Sequence, residues 1–161
     1  MLEPSQRERL QIIHAYEWAA DSEVDSSANL KRLYRAIESV EELWFASFII
    51  PLNPERGDLS LILDHPLCDR GIASFLYWSL DPAKLYAEFD LRRTFFPTLQ
   101  ILQQIESRLL SDYYKTAVVG FSPTFLDRQI HHDRIPTVLQ APTEGIHFPL
   151  DYRDAVFAPT Q

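Results

Sequence analysis

The sequence predicts a mainly α fold: a single-domain helical bundle around a buried central helix at about residues 69–81, closed by an extended, proline-rich C-terminal arm. Three observations predict it. In residues 69–81, Ile72, Phe75, Leu76 and Leu80 recur at i, i+3, i+4 and i+8, and Ala73, Tyr77 and Trp78 cover most of the remaining surface. A helix apolar nearly all round belongs inside. Apolar residues also recur at helical spacing in most segments before residue 112. Finally, Pro136, Pro142, Pro149 and Pro159, four of the eleven prolines, fall in the last 26 residues, where their spacing leaves no room for a helix or a central strand. The expected division is a helical domain at 1–135 and an arm at 136–161 that packs on it or is ordered by a partner.

Taken in order, residues 6–20 read as an amphipathic helix, with Leu10, Ile13, His14 or Tyr16, and Ala20 on one side and Arg7, Glu8, Arg9 and Glu17 on the other. Residues 21–27 are polar and turn-forming, and Ser26 or Ser27 can cap a second helix over 28–39 with Leu30, Leu33 and Ile37 inward. Ser39-Val40-Glu41-Glu42 matches a capping box, in which the Ser39 hydroxyl and the Glu42 carboxylate each satisfy an amide at the start of a third helix, 40–48. Pro51, Pro54 and Gly57 make 50–58 a loop, followed by a short helix at 59–64 and a turn at His65-Pro66-Leu67-Cys68. Asp69 is the expected N-cap of the central helix, and Asp81-Pro82 its end, since a residue before proline is pushed out of the helical region. Residues 84–93 have no decisive period. Pro97 suits an early helix position, and Leu99, Leu102, Ile105 or Glu106, and Leu109 continue a long helix to about 112. Residues 113–121, rich in aromatic and β-branched side chains, fit a strand or an extended segment, and 124–130 a short helix. In the arm, Phe148, Leu150, Tyr152, Val156 and Phe157 are too apolar for a solvated tail.

The 161 residues are 46% hydrophobic and 24% charged, enough to bury a core without disulfides or metal, and no apolar run approaches the roughly 20 residues that span a bilayer. No membrane association is expected. A cytoplasmic location is expected, since residues 1–7 lack a basic start followed by an apolar stretch, and the single cysteine agrees with a reducing compartment. A net charge of −8 argues against nucleic acid, whose binders need a basic footprint, and favours a partner basic at its contact surface. Up to Glu42 there are nine acidic and five basic residues, against fourteen and ten in the 119 that follow, so negative charge is densest at the start.

Catalytic motifs are absent: no phosphate loop, no dinucleotide glycine pattern, no nucleophile elbow, and only four glycines. No cofactor is expected and the chain does not read as an enzyme. The alternative is a metal-dependent enzyme or metal-binding domain using His65, Cys68 and His131 or His132, since thiolate and imidazole suit zinc. The spacing signature of such sites is missing, and Cys68 in the core with His65 closing a turn explains these residues more simply. The acidic stretch Glu17, Asp21, Glu23 and Asp25, with Glu38, Glu41 and Glu42 beyond it, is either a solvated face or a docking surface for a basic protein, where complementary charge speeds encounter. Trp18 and Trp44 flank it as core residues or interface anchors.

The stretch 61–78, through Asp64-His65-Pro66-Leu67-Cys68-Asp69-Arg70-Gly71-Ile72-Ala73 to Tyr77-Trp78, resembles a small bacterial family of unknown function, the four-two-seven-four DUF family, which pairs a His-Pro-x-Cys-Asp turn with a Gly-Thr-Ala helix ending in Tyr-Trp. Ser39 to Leu43 is similar to that family's Ser/Thr-Pro-Glu-Glu-Leu helix start, and the segment from Ile105-Glu106 to Phe121-Ser122-Pro123 to its late helix and Asp-Pro segment. Ile72 replaces the family's threonine. Its Asn-Trp-Asp-Asp-Gly loop is reduced here to Asn53-Pro54-Glu55-Arg56-Gly57. The resemblance implies a small helical domain without an established enzymatic activity. By association with small acidic bacterial proteins of this kind, it also implies an immunity protein that neutralises a cognate secreted toxin by occluding its active site.

Overall fold

The computed structural model describes residues 8–11, 13, 31–32, 34–49, 58–87, 96–126 and 133–148. The fold is mainly helical, and among the described residues no strand forms. Contacts divide the chain into two compact units, one of residues 1–51 with 148–161 and the other of 52–147.

In the first unit, residues 8–11 and 13 are helical with Leu10 and Ile13 buried, as are 31–32 and 34–36 with Tyr34 buried. The predicted helix over 28–39 stops at 36 in the described part, and Ile37 is buried just beyond it. Helix α1, Val40–Ile49, begins with a variant of the capping box: the Glu42 amide donates to Ser39 Oγ at 3.1 Å, as the box requires, while a Glu42 carboxylate oxygen accepts the amide of Glu38, the residue before the cap, at 2.8 Å. Trp44, 1% exposed, packs edge-on against Phe48 at 4.8 Å between ring centroids.

The second unit is built on α2 (Asp58–Leu63), α3 (Arg70–Ser79), α4 (Pro82–Ala87), α5 (Phe96–Leu110), a 3-10 turn (Pro123–Leu126) and α6 (Thr137–Gln140). Helix α3 is the predicted central helix. Its eight consecutive residues from Gly71 to Trp78 are all buried, and it packs chiefly against α5 and the 3-10 turn. Asp81 ends this stretch in the left-handed region, φ 57°, where Asp is tolerated, and Pro82 opens α4 with its fixed φ. Part of the undecided stretch at 84–93 is therefore helix; its remainder lies outside the described residues. Helix α5 buries Ile101, Leu102, Ile105 and Leu109 and closes with a left-handed Asp112, the Tyr113 amide reaching back to the Arg108 carbonyl at 3.0 Å.

Residues 113–121, expected as a strand or an extended segment, form no strand and meet residues 143–146 at isolated bridges, Val119 with Ile146 and Phe121 with Thr143. One expectation changes: the proline-rich segment is not wholly extended. One turn of helix, α6, fits between Pro136 and Pro142, because Pro136 occupies the cap position, where its missing N–H is not needed. Leu139 of that turn is buried, and its carbonyl accepts the Trp78 indole N–H at 3.0 Å, which holds the segment to α3. Of the predicted helix at 124–130, the described part is the 3-10 turn.

Candidate functional site

The motif Cys68-Asp69-Arg70-Gly71 forms a densely hydrogen-bonded polar site in the second unit. Asp69 is fully buried. Its Oδ1 caps α3 by accepting the Ile72 amide at 2.9 Å, and its Oδ2 accepts the Val119 amide at 2.6 Å, from a residue fifty positions away. Burial pushes this carboxyl up, while the surrounding backbone amides of Ile72, Val119, Val118 and Gly71 pull it down, leaving it above its ordinary value. Glycine is required at 71, since a Cβ there would fall inside contact distance of the Val119 carbonyl. The Arg70 amide donates to the Thr116 carbonyl at 3.0 Å, so the first turn of α3 grips the 116–119 segment at three points. The far side of that segment is held by the Ile146 amide on the Val118 carbonyl, 2.7 Å, and the Gly120 amide on the Ile146 carbonyl, 2.9 Å. This arrangement joins chain segments. It presents no reactive carboxylate.

In the His65–Cys68 turn only Cys68 is buried; His65 and Leu67 are half-buried and Pro66 is exposed. His65 Nδ1 accepts the Leu67 amide at 3.1 Å, and the Cys68 amide donates to the His65 carbonyl at 2.8 Å. Cys68 is buried, and burial first, then the charge of Asp69, pushes its thiol well above the usual range. His131 and His132 lie outside the described residues, and among the described residues no group of three or more His, Cys, Asp or Glu gathers at metal-binding distance.

Of the acidic residues proposed for docking, Glu17, Asp21, Glu23 and Asp25, with Trp18, lie outside the described residues. Glu38 is exposed, its side chain 74% accessible, and Glu41 is half-buried. Glu42 is different. At 4% exposed it is enclosed by Arg9, whose guanidinium forks onto both carboxylate oxygens, with Nη2 to Oε2 at 2.9 Å and Nε to Oε1. The same Nη2 donates to the Ala36 carbonyl at 2.8 Å, and Nη1 lies 3.3 Å from Glu38. Burial alone would raise the Glu42 carboxyl; Arg9 and the amides of Glu38 and Ser39 outweigh it and hold the carboxyl below its ordinary value. Glu42 therefore leaves the docking set, because its charge is neutralised inside the unit. The buried Trp44 is likewise a core residue here and presents no surface to a partner.

Sequence reasoning missed two features. Glu106, half-buried on α5, accepts the hydroxyls of Tyr77 at 3.1 Å and Tyr86 at 3.0 Å, and burial with that carboxylate's charge pushes both phenols up. The ambiguity between Ile105 and Glu106 in the helical repeat was the available signal: Ile105 is fully buried, and Glu106 sits at the margin of the same face. The second is a cleft of about 190 Å³ beside α3, lined by Arg70, Ser74, Val138, Leu139, Pro142 and Glu144 among others. Its walls come from segments some sixty residues apart, which no local pattern joins. Among the described residues no helix is long and apolar enough to cross a membrane.

Comparison with known proteins finds no matching family model, no matching characterised protein and no matching solved structure.

Proposed function

We propose that this chain is a binding protein of the immunity type, which acts in the cytoplasm by covering the active site of a cognate secreted toxin and performs no reaction of its own. The observation that carries the reading is the contrast within its polar groups. Those built into the interior, Asp69, Cys68 and Glu42, are committed to backbone amides, to a protonated thiol and to Arg9, whereas the acidic charge concentrated before residue 42 reaches solvent at Glu38. A net charge of −8 suits a toxin whose contact surface is basic, and it opposes nucleic acid as a direct ligand. The resemblance of residues 61–78 to a small bacterial family without established chemistry points the same way.

The test is protection. Cells producing a secreted effector encoded beside this chain should survive only when the chain is co-produced, and the purified pair should associate more slowly as salt rises. Reversing charge at Asp21, Glu23, Asp25 and Glu38 together should slow association by about tenfold at low salt. Protection and association rate unchanged by these reversals would remove the acidic surface from the mechanism, and a lack of protection by the unaltered chain would end the proposal.

A further inference from the structure

We propose that the helical face carrying Lys31, Arg32 and Arg35 docks onto an acidic patch of the cognate toxin, so that the contact surface is bipolar and not acidic throughout; this rests on the immunity reading above. Negative charge is densest before residue 43, yet residues 31–38 turn three positive charges and one negative, Glu38, to solvent. Among the described residues, none of Lys31, Arg32 and Arg35 enters an ion pair or a side-chain hydrogen bond. Other arginines are engaged: Arg9 holds Glu42, Arg70 reaches Asp112 at 3.5 Å, and Arg108 reaches Asp64 at 2.7 Å.

Spacing puts the three on one side. Residues 31–32 and 34–36 are helical, so Lys31, Arg35 and Arg32 fall within about 100° of the helix circumference, while Tyr34 is turned inward and buried. The array does not favour the free fold. Lys31 and Arg35, four positions apart, repel each other, and the dipole of a helix that stops at 36 favours a cation only in its last turn, which accounts for Arg35 but not for Lys31 or Arg32. Local carboxylates are already engaged: Arg9 lies 3.3 Å from Glu38, three positions after Arg35, and forks onto Glu42. The Arg9 guanidinium also donates to the Ala36 carbonyl at 2.8 Å, which holds the end of this helix in place and presents the basic face on a fixed support. Carboxylates of a partner supply the missing counter-charge, and the two guanidiniums offer planar forks that match them. A protein patch suits this face better than nucleic acid or an anionic membrane, because three cations on a chain of net charge −8 are too few to hold a polyanion.

The experiment is stopped-flow association of the full chain with the purified effector encoded beside it, comparing the unaltered chain with one in which Lys31→Glu, Arg32→Glu and Arg35→Glu are combined. The sign of the change decides. The triple reversal takes the net charge from −8 to −14, so attraction to a basic toxin through net charge alone would speed association. A basic face seated on acidic groups requires the opposite: association about fivefold slower at low salt, with the difference shrinking as salt rises. Lys31→Gln, Arg32→Gln and Arg35→Gln together, which remove charge and add none, should quicken dissociation about threefold and leave the melting temperature unchanged or slightly higher, since like-charge neighbours are relieved. Triple reversal that speeds association or leaves it unchanged, or a triple glutamine chain that dissociates as the unaltered one does, would overturn the bipolar contact while the immunity reading stands. An unaltered chain that does not bind the effector would end both.

Discussion

Two carboxylates, Asp69 and Glu42, are almost equally hidden from water, and both stand at the start of a helix, yet their charges are handled in opposite ways. Asp69 meets only backbone amides, from its own helix and from Val119. Glu42 meets a bidentate guanidinium as well as the Glu38 amide. Neutral dipoles satisfy the hydrogen-bonding needs of Asp69 without returning all of its lost hydration, and its carboxyl stays above the ordinary value. A full positive charge more than offsets the desolvation of Glu42, and its carboxyl falls below. The first arrangement ties together segments distant in sequence. The second does so too, joining the start of α1 to Arg9, thirty-three positions earlier, as well as to the Glu38 amide beside it.

The largest difference between the two should appear when each is dismantled. Asp69→Ala removes the α3 cap and leaves the buried Val119 amide without its acceptor, which together should cost about 3 kcal/mol in urea unfolding. A loss under about 1 kcal/mol would mean that Val119 finds water on opening. Arg9→Ala leaves the Glu42 charge behind, but its own side chain is 37% exposed and water can enter, so the expected loss is smaller, about 1–2 kcal/mol.

The finest test is acid titration of stability, where the signs oppose. Glu42, with its folded value lowered from the ordinary 4.5, contributes stability that is complete above that value and is lost as pH falls through the lowered one. Asp69, raised from 3.8, does the reverse: its contribution is complete below 3.8 and is lost as pH rises through the raised value. Over about pH 3 to 6, Glu42→Gln should therefore flatten the acid loss of stability, and Asp69→Asn should steepen it. Slopes that shift in the same direction would mean that the two carboxylates do not differ in the way their partners suggest.

The helical repeat, the capping box at Ser39 and Glu42, and the Asp69 cap were all legible in the amino-acid order, because each depends on residues three or four positions apart whose geometry the helix itself supplies. The interior position of α3 was legible too, since a helix without a polar face has nowhere else to go. The second acceptor role of Asp69, the fork of Arg9 on Glu42, the one-turn helix between the prolines and the cleft at Arg70 and Ser74 were settled only by tertiary structure. The one-turn helix is too short to show a period, and the others pair residues between roughly thirty and seventy positions apart, where no local periodicity encodes which distant amide or guanidinium will meet a buried carboxylate. Sequence thus determined where charge had to be neutralised, and packing decided which group would do it.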